Sequence, residues 1–339
     1  MVKVGIIGAS GYTALELLKI LLRHPKTEIA RLTSRKKSTS VADVHPQLLQ
    51  KIDMPLVQLS IDDFTEAVEF AFCCLPHAAS AEVVKELVDR NIKVVDFSAD
   101  YRLDDWQTFE KWYDVEHPDR ERVGTVPYGI PELFRKSIAT APLVANPGCF
   151  PSSALLPLAP ILTAELIEPD GIIVDSKTGI SGGGRNPKAH LHYPEANESI
   201  SAYAVGTHRH QPEIEQLAKR FSGQSANVIF TPHLAPMDRG ILSTCYVTPA
   251  AGKTGADIFE HLKRFYETEP FVRVSESLPT TKNVSHSNYC DIAVRENGSK
   301  VIILSALDNL IKGASGAAVQ NFNLMNGFKE TLGLTSEIK

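Results

Sequence analysis

No apolar run in the chain approaches the roughly 20 residues needed to span a bilayer, so no membrane-crossing helix is predicted. Excess positive charge is also missing. The 35 Lys and Arg residues stand against 40 Asp and Glu, a net charge of −5. That balance argues against a broad basic face for nucleic acid, while local Arg and Lys residues remain able to grip phosphate. Cysteine is scarce and odd in number (Cys73, Cys74, Cys149, Cys245 and Cys290), and no C-x-x-C spacing occurs. Neither a disulfide framework nor a zinc ribbon is indicated. His208 and His210 are two apart, as are His190 and His192, but no further ligands stand at suggestive spacing, so no metal is expected. The first residues, Met1-Val2-Lys3-Val4-Gly5-Ile6-Ile7-Gly8, lack the basic, apolar and cleavage regions of a signal peptide. A reducing cytoplasm is the expected location. Internal repeats and low-complexity tracts are absent.

What is present is ordinary globular composition, 43% hydrophobic and 22% charged, in 339 residues. That length is too great for one typical core, so two domains are expected. Val2–Ile7 reads as a buried strand, residues 14–23 as an amphipathic helix and 28–33 as a second strand. Short apolar runs at 70–74 and 93–97 bracket a helical pattern at 79–90. Strand and helix alternate to about residue 100, the pattern of a doubly wound parallel sheet. Beyond residue 148 the pattern changes. Strands are predicted at 171–176, 227–231, 241–248, 290–295 and 300–307, and only some are separated by helix-length segments, at 212–221 and 256–268. An α+β domain with a mixed, largely antiparallel sheet follows from that spacing. The last long helical pattern is 314–325, rich in small residues.

The first turn reads G-x-x-G-x-x-A across Gly8, Gly11 and Ala14. Glycines there let the backbone approach a pyrophosphate, and helix N–H groups receive its charge. Gly8, Ser10, Gly11, Tyr12 and Thr13 are therefore candidate dinucleotide contacts. At the end of the second strand an NAD site offers Asp or Glu to the ribose. This chain offers Ser34-Arg35-Lys36-Lys37, a hydroxyl beside cations, which suits a 2′-phosphate and favours NADP. Cys74, Leu75, Pro76 and Ser98, which follow the next two predicted strands, are expected on the cofactor side.

Asn146-Pro147-Gly148-Cys149-Phe150-Pro151 places one cysteine just before a predicted helix at 152–166. The partial positive charge of a helix N-terminus favours a thiol there as the reactive thiolate. A nucleophile needs a proton carrier, and the best histidines lie in Gly206-Thr207-His208-Arg209-His210-Gln211-Pro212-Glu213, which leads into a helix. Gly179-Ile180-Ser181-Gly182-Gly183 matches G-x-S-x-G, but the Gly184-Arg185-Asn186-Pro187 that follows is a poor helix start, and a nucleophile elbow needs one. That loop, with Gly179, Ser181, Gly182 and Arg185, better suits a flat ring or a phosphate.

Six blocks together resemble the N-acetyl-γ-glutamyl-phosphate reductases of arginine biosynthesis, over nearly the whole chain. They are Gly8-Ala9-Ser10-Gly11-Tyr12, Asp96-Phe97-Ser98-Ala99-Asp100-Tyr101-Arg102, Tyr128-Gly129-Ile130-Pro131-Glu132, Asn146-Pro147-Gly148-Cys149, His208-Arg209-His210-Gln211-Pro212-Glu213-Ile214 and Asp308-Asn309-Leu310-Ile311-Lys312-Gly313-Ala314. Ala14 stands where that family often has a third glycine. The resemblance implies a Rossmann-type NADP-binding domain at 1–148 with 315–339. It also implies a catalytic and oligomerisation domain at 149–314, as in semialdehyde dehydrogenases and glyceraldehyde-3-phosphate dehydrogenase. It implies Cys149 as nucleophile, with His208 the first choice as acid/base and His210 the fallback. Asn146, Arg209 and Glu213 are implied as substrate-binding or supporting groups, and Asn309 and Gly313 as neighbours of the nicotinamide. Arg102, Arg185 and Arg209 are unranked candidates for the departing phosphate. The implied substrate is an acyl phosphate, the cofactor NADPH, and the assembly a homodimer or homotetramer. The nearest rivals are the aminoadipyl-phosphate reductase of lysine biosynthesis, aspartate-semialdehyde dehydrogenase and, in another class, an NADP-binding redox sensor.

Overall fold

The computed structural model describes residues 1–35 and 38–335, so Lys36 and Lys37 lie outside the described residues. The chain forms two compact units. One comprises residues 1–147 and the C-terminal residues from 314; the other is Gly148–Gly313.

In the first unit, β1 (Val2–Ile7), β2 (Thr27–Thr33), β3 (Phe70–Cys73), β4 (Lys93–Asp96) and β5 (Leu143–Ala145) form a parallel sheet in the order β2-β1-β3-β4-β5. Helices cover both faces of such a sheet, so its central strands are apolar without alternation. All four residues of β3, Phe-Ala-Phe-Cys, are buried. The C-terminal helix Gly316–Met325 packs on it through Phe322, whose ring meets Phe70 edge-on at 4.8 Å. The strand order reverses direction between β1 and β3, and open α/β sheets bind ligands at the carboxyl ends of strands at such a point.

The second unit holds β6 (Ile172–Gly179), β7 (Ser201–Ala202), β8 (Val228–Ala235), β9 (Ile241–Val247), β10 (Val272–Val274), β11 (Cys290–Asn297) and β12 (Lys300–Leu307). Their order is β10-β11-β12-β9-β6-β8-β7. Only β10/β11 and β6/β8 pair in parallel, so the sheet is mixed and largely antiparallel, as the sequence predicts. Burial alternates strictly along β9, the signature of a sheet covered on one face. Strand β8 runs past Pro232, where a proline ended the predicted strand at 231. The strand beyond it is the two-residue β7 at the sheet edge, where a missing N–H is tolerated.

The helix Cys149–Thr163 lies on the buried face of this sheet, with every residue from Phe150 to Leu162 buried. It starts three residues before the predicted 152. Pro151 sits in its first turn, where a missing N–H costs no intrahelical bond. Pro157 and Pro160 lie in its interior and leave the carbonyls of Ser153 and Leu156 without helical donors. Side chains from elsewhere replace them. The Ser305 hydroxyl donates to the Ser153 carbonyl at 2.5 Å, and the Tyr266 hydroxyl donates to that of Leu156.

Candidate active site

Cys149 is the first residue of its helix, and Gly148 is the N-cap, with no side-chain cap and no acidic residue in the first turn. No carboxylate in that first turn offsets the partial positive charge of the helix end. The thiol is half-buried. Two glycines bound it. A Cβ on Gly313 would lie 2.8 Å from the Cys149 Cβ, and a Cβ on Gly148 would lie 2.6 Å from Nε2 of His210. Only residues without side chains fit either place.

His208 and His210 lie with ring centroids 4.8 Å apart, both edge-on to Phe150. Phe230 and Tyr203 enclose His208 further, at 5.4 Å each. The two histidines are not equivalent. Nδ1 of His208 accepts the His210 backbone N–H at 3.1 Å, so its neutral ring carries the proton on Nε2. Burial, and then the charge of Arg209, push the His208 pKa down to about 4. His210 is also half-buried, with Nε2 3.9 Å from the carboxylate of Glu213. Glu213 is fully buried in the first turn of the helix Gln211–Ser222. Tyr203 was not anticipated from sequence. Burial, and then the charge of Cys149, raise its pKa, so the phenol lies within electrostatic reach of the thiol. No periodicity marks it; its only sequence signal is its place five residues before His208.

The Gly179–Gly182 loop and Asn309 come together. The Ser181 hydroxyl donates to the Asp238 carbonyl at 2.5 Å and accepts Nδ2 of Asn309 at 3.1 Å, while Oδ1 of Asn309 accepts the Gly240 N–H. A Cβ on Gly179 would strike the Asp238 carbonyl at 2.3 Å, and one on Gly182 would lie 3.6 Å from Nδ2 of Asn309. Arg185 and Arg209 are exposed.

In the first unit, Gly8 has φ +82°, and a Cβ there would lie 2.6 Å from the Cys74 carbonyl, so glycine is required on both counts. The N–H groups of Gly8 and Ala9 both donate to the Thr33 carbonyl, and Nε2 of the buried His45 bonds the Ala9 carbonyl at 2.8 Å. Gly11 caps the helix Tyr12–Leu21 by backbone alone, and no acidic residue occupies its first turn. Thr13 bonds Cys74, whose thiol is pushed up by burial first and then by Asp96. A close-approach glycine, an uncapped helix start and no competing carboxylate fit a pyrophosphate. Ser34 is buried at the end of β2 and Arg35 is exposed beside it. Leu75 is half-buried and Pro76 exposed.

Three candidates have their polar ends engaged within this unit. The Ser98 hydroxyl donates to Asp96 at 2.6 Å. Arg102 donates to the carbonyls of Asn146 and Phe97, at 2.7 Å each. Asn146 donates through Nδ2 to the Ala314 carbonyl and accepts from Asn321 through Oδ1. All three are buried, and these bonds brace the segment that leads into Pro147.

Residues 3–141 match a family model described as the semialdehyde dehydrogenase NAD binding domain, and 149–309 match the semialdehyde dehydrogenase dimerisation domain. The chain is 50% identical to the N-acetyl-γ-glutamyl-phosphate reductase of Rhodopirellula baltica, over 98% of each chain. It belongs to the N-acetyl-γ-glutamyl-phosphate reductase family. Another member, from Citrifermentans bemidjiense, is 48% identical over 98% of each chain. Solved structures share the reductase fold at lower identity. Aspartate semialdehyde dehydrogenase from Candida albicans with NADP has a TM-score of 0.72 at 14% identity, covering 96% of this chain and 98% of that one. Aspartate semialdehyde dehydrogenase II of Vibrio cholerae, complexed with ASA, has a TM-score of 0.69 at 17% identity and the same coverage. The first unit thus carries the nicotinamide-dinucleotide domain of this reductase family. Among the described residues no helix is long and apolar enough to cross a membrane.

Proposed function

We propose that the chain catalyses the NADPH-dependent reduction of N-acetyl-L-glutamyl 5-phosphate to N-acetyl-L-glutamate 5-semialdehyde and phosphate, in arginine biosynthesis. The observation that carries this reading is Cys149 at an uncapped helix start, backed by Gly313 and flanked at Gly148 by His210. The relatives' shared name supplies the substrate.

The Cys149 sulfur attacks the acyl-phosphate carbon, and its proton passes to His210. The tetrahedral oxyanion collapses, the C–O bond to phosphate breaks, and a thioester remains. A bound nicotinamide cofactor supplies the hydride that reduces the thioester carbon. The C–S bond of the resulting thiohemiacetal then breaks, releasing the aldehyde and regenerating the thiol with the proton held on His210. Splitting the reaction in this way replaces one hard step by two easier ones. The family resemblance made His208 the first choice as proton carrier and His210 the fallback. Its pKa, lowered to about 4, leaves it a weak base at neutral pH. The His210 ring instead lies against Gly148, the residue before Cys149, with the buried Glu213 carboxylate 3.9 Å from its Nε2. His208 is better suited to remain neutral and donate from Nε2 to a substrate oxygen. Arg185 and Arg209, both exposed, are candidates for the departing phosphate. Arg102, Asn146 and Ser98 act by positioning.

Ser34 and Arg35 at the end of β2, where an NAD site offers Asp or Glu, support NADP over NAD. The match to a dimerisation domain supports a homodimer or homotetramer. The deciding test is phosphate-dependent reduction of NADP by acetylglutamate, aminoadipate and aspartate semialdehydes at equal concentration. Acetylglutamate semialdehyde is expected to give the highest kcat/KM; a preference for either of the others overturns the substrate.

A further inference from the structure

The turn that follows β12 brings Gly313 against the thiol, and one side chain organises it. Asp308 is completely buried. Its Oδ1 accepts the N–H groups of Leu310 at 2.8 Å and Ile311 at 3.0 Å. Its Oδ2 accepts the His286 N–H at 2.7 Å and the Arg239 guanidinium at 3.3 Å. Its backbone carbonyl accepts the Gly313 N–H at 2.9 Å. The chain then enters the π-helical turn Ile311–Ser315, a wide geometry that recurs at functional sites. A buried carboxylate is costly unless it is fully hydrogen-bonded, and this one accepts from the backbone of its own turn, from the His286 N–H and from one cation.

We propose that Asp308 is a positioning residue for the thiol chemistry. It fixes the 308–313 turn so that the Gly313 backbone closes one side of Cys149 and holds the sulfur in its reactive orientation. The contact is tight enough for small displacements to matter. A Cβ at residue 313 would lie 2.8 Å from the Cys149 Cβ and 3.2 Å from its Cα. Arg239 neutralises Asp308 from the β8–β9 connection, and Asn309 ties the same turn to Gly240 and Ser181. The backstop is thus anchored at two neighbouring residues. Asp308 touches no reacting atom, and its effect passes through Gly313.

The proposal rests on Cys149 being the nucleophile, so its test reads the thiol directly as well as turnover. Alkylation of Cys149 by iodoacetamide, located by peptide mass spectrometry, is measured from pH 6 to 10 in the wild type, Asp308→Asn and Arg239→Gln. Asn retains the size of Asp308 but loses the charge and turns an amide toward a donor. Both variants are expected to alkylate at least tenfold more slowly at pH 7, with an altered pH profile. kcat is expected to fall by a similar factor, with KM within about threefold and NADPH binding unchanged. Wild-type alkylation profiles and kcat in folded variants overturn the proposal. Should Asp308→Asn fail to fold, Arg239→Gln decides alone. A wild-type enzyme that alkylates at Cys149 but does not turn over the acyl phosphate sinks the proposed function and leaves this inference standing.

Discussion

At the scale of single residues, the environment rather than the residue type separates two histidines of one tripeptide. His208 is caged by Phe150, Phe230 and Tyr203, and its Nδ1 is occupied by a backbone N–H. His210 has a buried carboxylate beside it and Gly148 beneath it. His210→Asn is expected to lower kcat by roughly 10²–10⁴-fold, the range of lost acid–base catalysis. His208→Asn should chiefly raise KM; the reverse pattern in steady-state kinetics reassigns the two. Cys149→Ser should abolish turnover while still binding NADPH, as followed by cofactor fluorescence. Arg35→Ala should lower the NADP/NAD preference about tenfold or more, since a charge-assisted phosphate contact is worth a factor of that size. The sequence made Cys149 legible because a helix-start cysteine after glycine is a local feature. It did not separate the histidines, because what distinguishes them is the packing of Phe230 and Tyr203 on His208, which the fold sets and no periodicity marks. For the same reason Arg102 and Asn146 read as free polar groups, although the backbone around Phe97 and Ala314 engages them.

At the scale of elements, two features can be tested one at a time. Gly8→Ala forces a non-glycine residue to φ +82° and a Cβ to within 2.6 Å of the Cys74 carbonyl. Strain on the order of 1–3 kcal/mol corresponds to a roughly 5- to 150-fold loss of NADPH affinity. Isothermal titration would measure that loss, while iodoacetamide reactivity at Cys149 should be unchanged. The helix that carries Cys149 tolerates Pro157 and Pro160 because Ser305 and Tyr266 supply the donors the prolines lack. Tyr266→Phe leaves the Leu156 carbonyl buried without that donor and should cost about 1–3 kcal/mol in denaturant unfolding. Adding Pro160→Ala, which restores an N–H to Leu156, should recover part of that loss. Element type was legible where periodicity ran long, as in β6, β9, β12 and the helix Gln211–Ser222. The three-residue strands β5 and β10 were missed, because so short a run carries no period. The predicted helix at 314–325 becomes α-helical only at Gly316, after the π turn Ile311–Ser315.

At the scale of the whole molecule, buried histidines set the response to acid. The pKa values of His24, His117 and His208 are all lowered, in each case chiefly by burial. A histidine with a lowered folded pKa takes up more protons when unfolded, so its stabilising effect is complete above about 6.5 and is lost as pH falls below that. Asp96 runs the other way. Burial first, and then Asp100, raise it to about 6, so acidification below that value favours the folded form. The first unit contains His24, His117 and Asp96, whose effects oppose one another, whereas the second contains His208. Between pH 7.5 and 5 the second unit should therefore lose stability, on the order of 2 kcal/mol from His208 alone. Hydrogen exchange resolved by unit would measure the loss, and His208→Asn should flatten it. The doubly wound half and the mixed-sheet half were both legible from the change of pattern near residue 148, since each sheet type imposes its own hydrophobic rhythm. The setting of the thiol has a consequence for anyone wishing to transplant it. Cys149 with its helix is not a portable cassette, because its backstop arrives from residue 313 and its flanking imidazole from residue 210. A graft onto another scaffold would have to carry the 308–313 turn and Arg239 along with it, and shuffling between distant relatives should succeed only where all of these come from one parent.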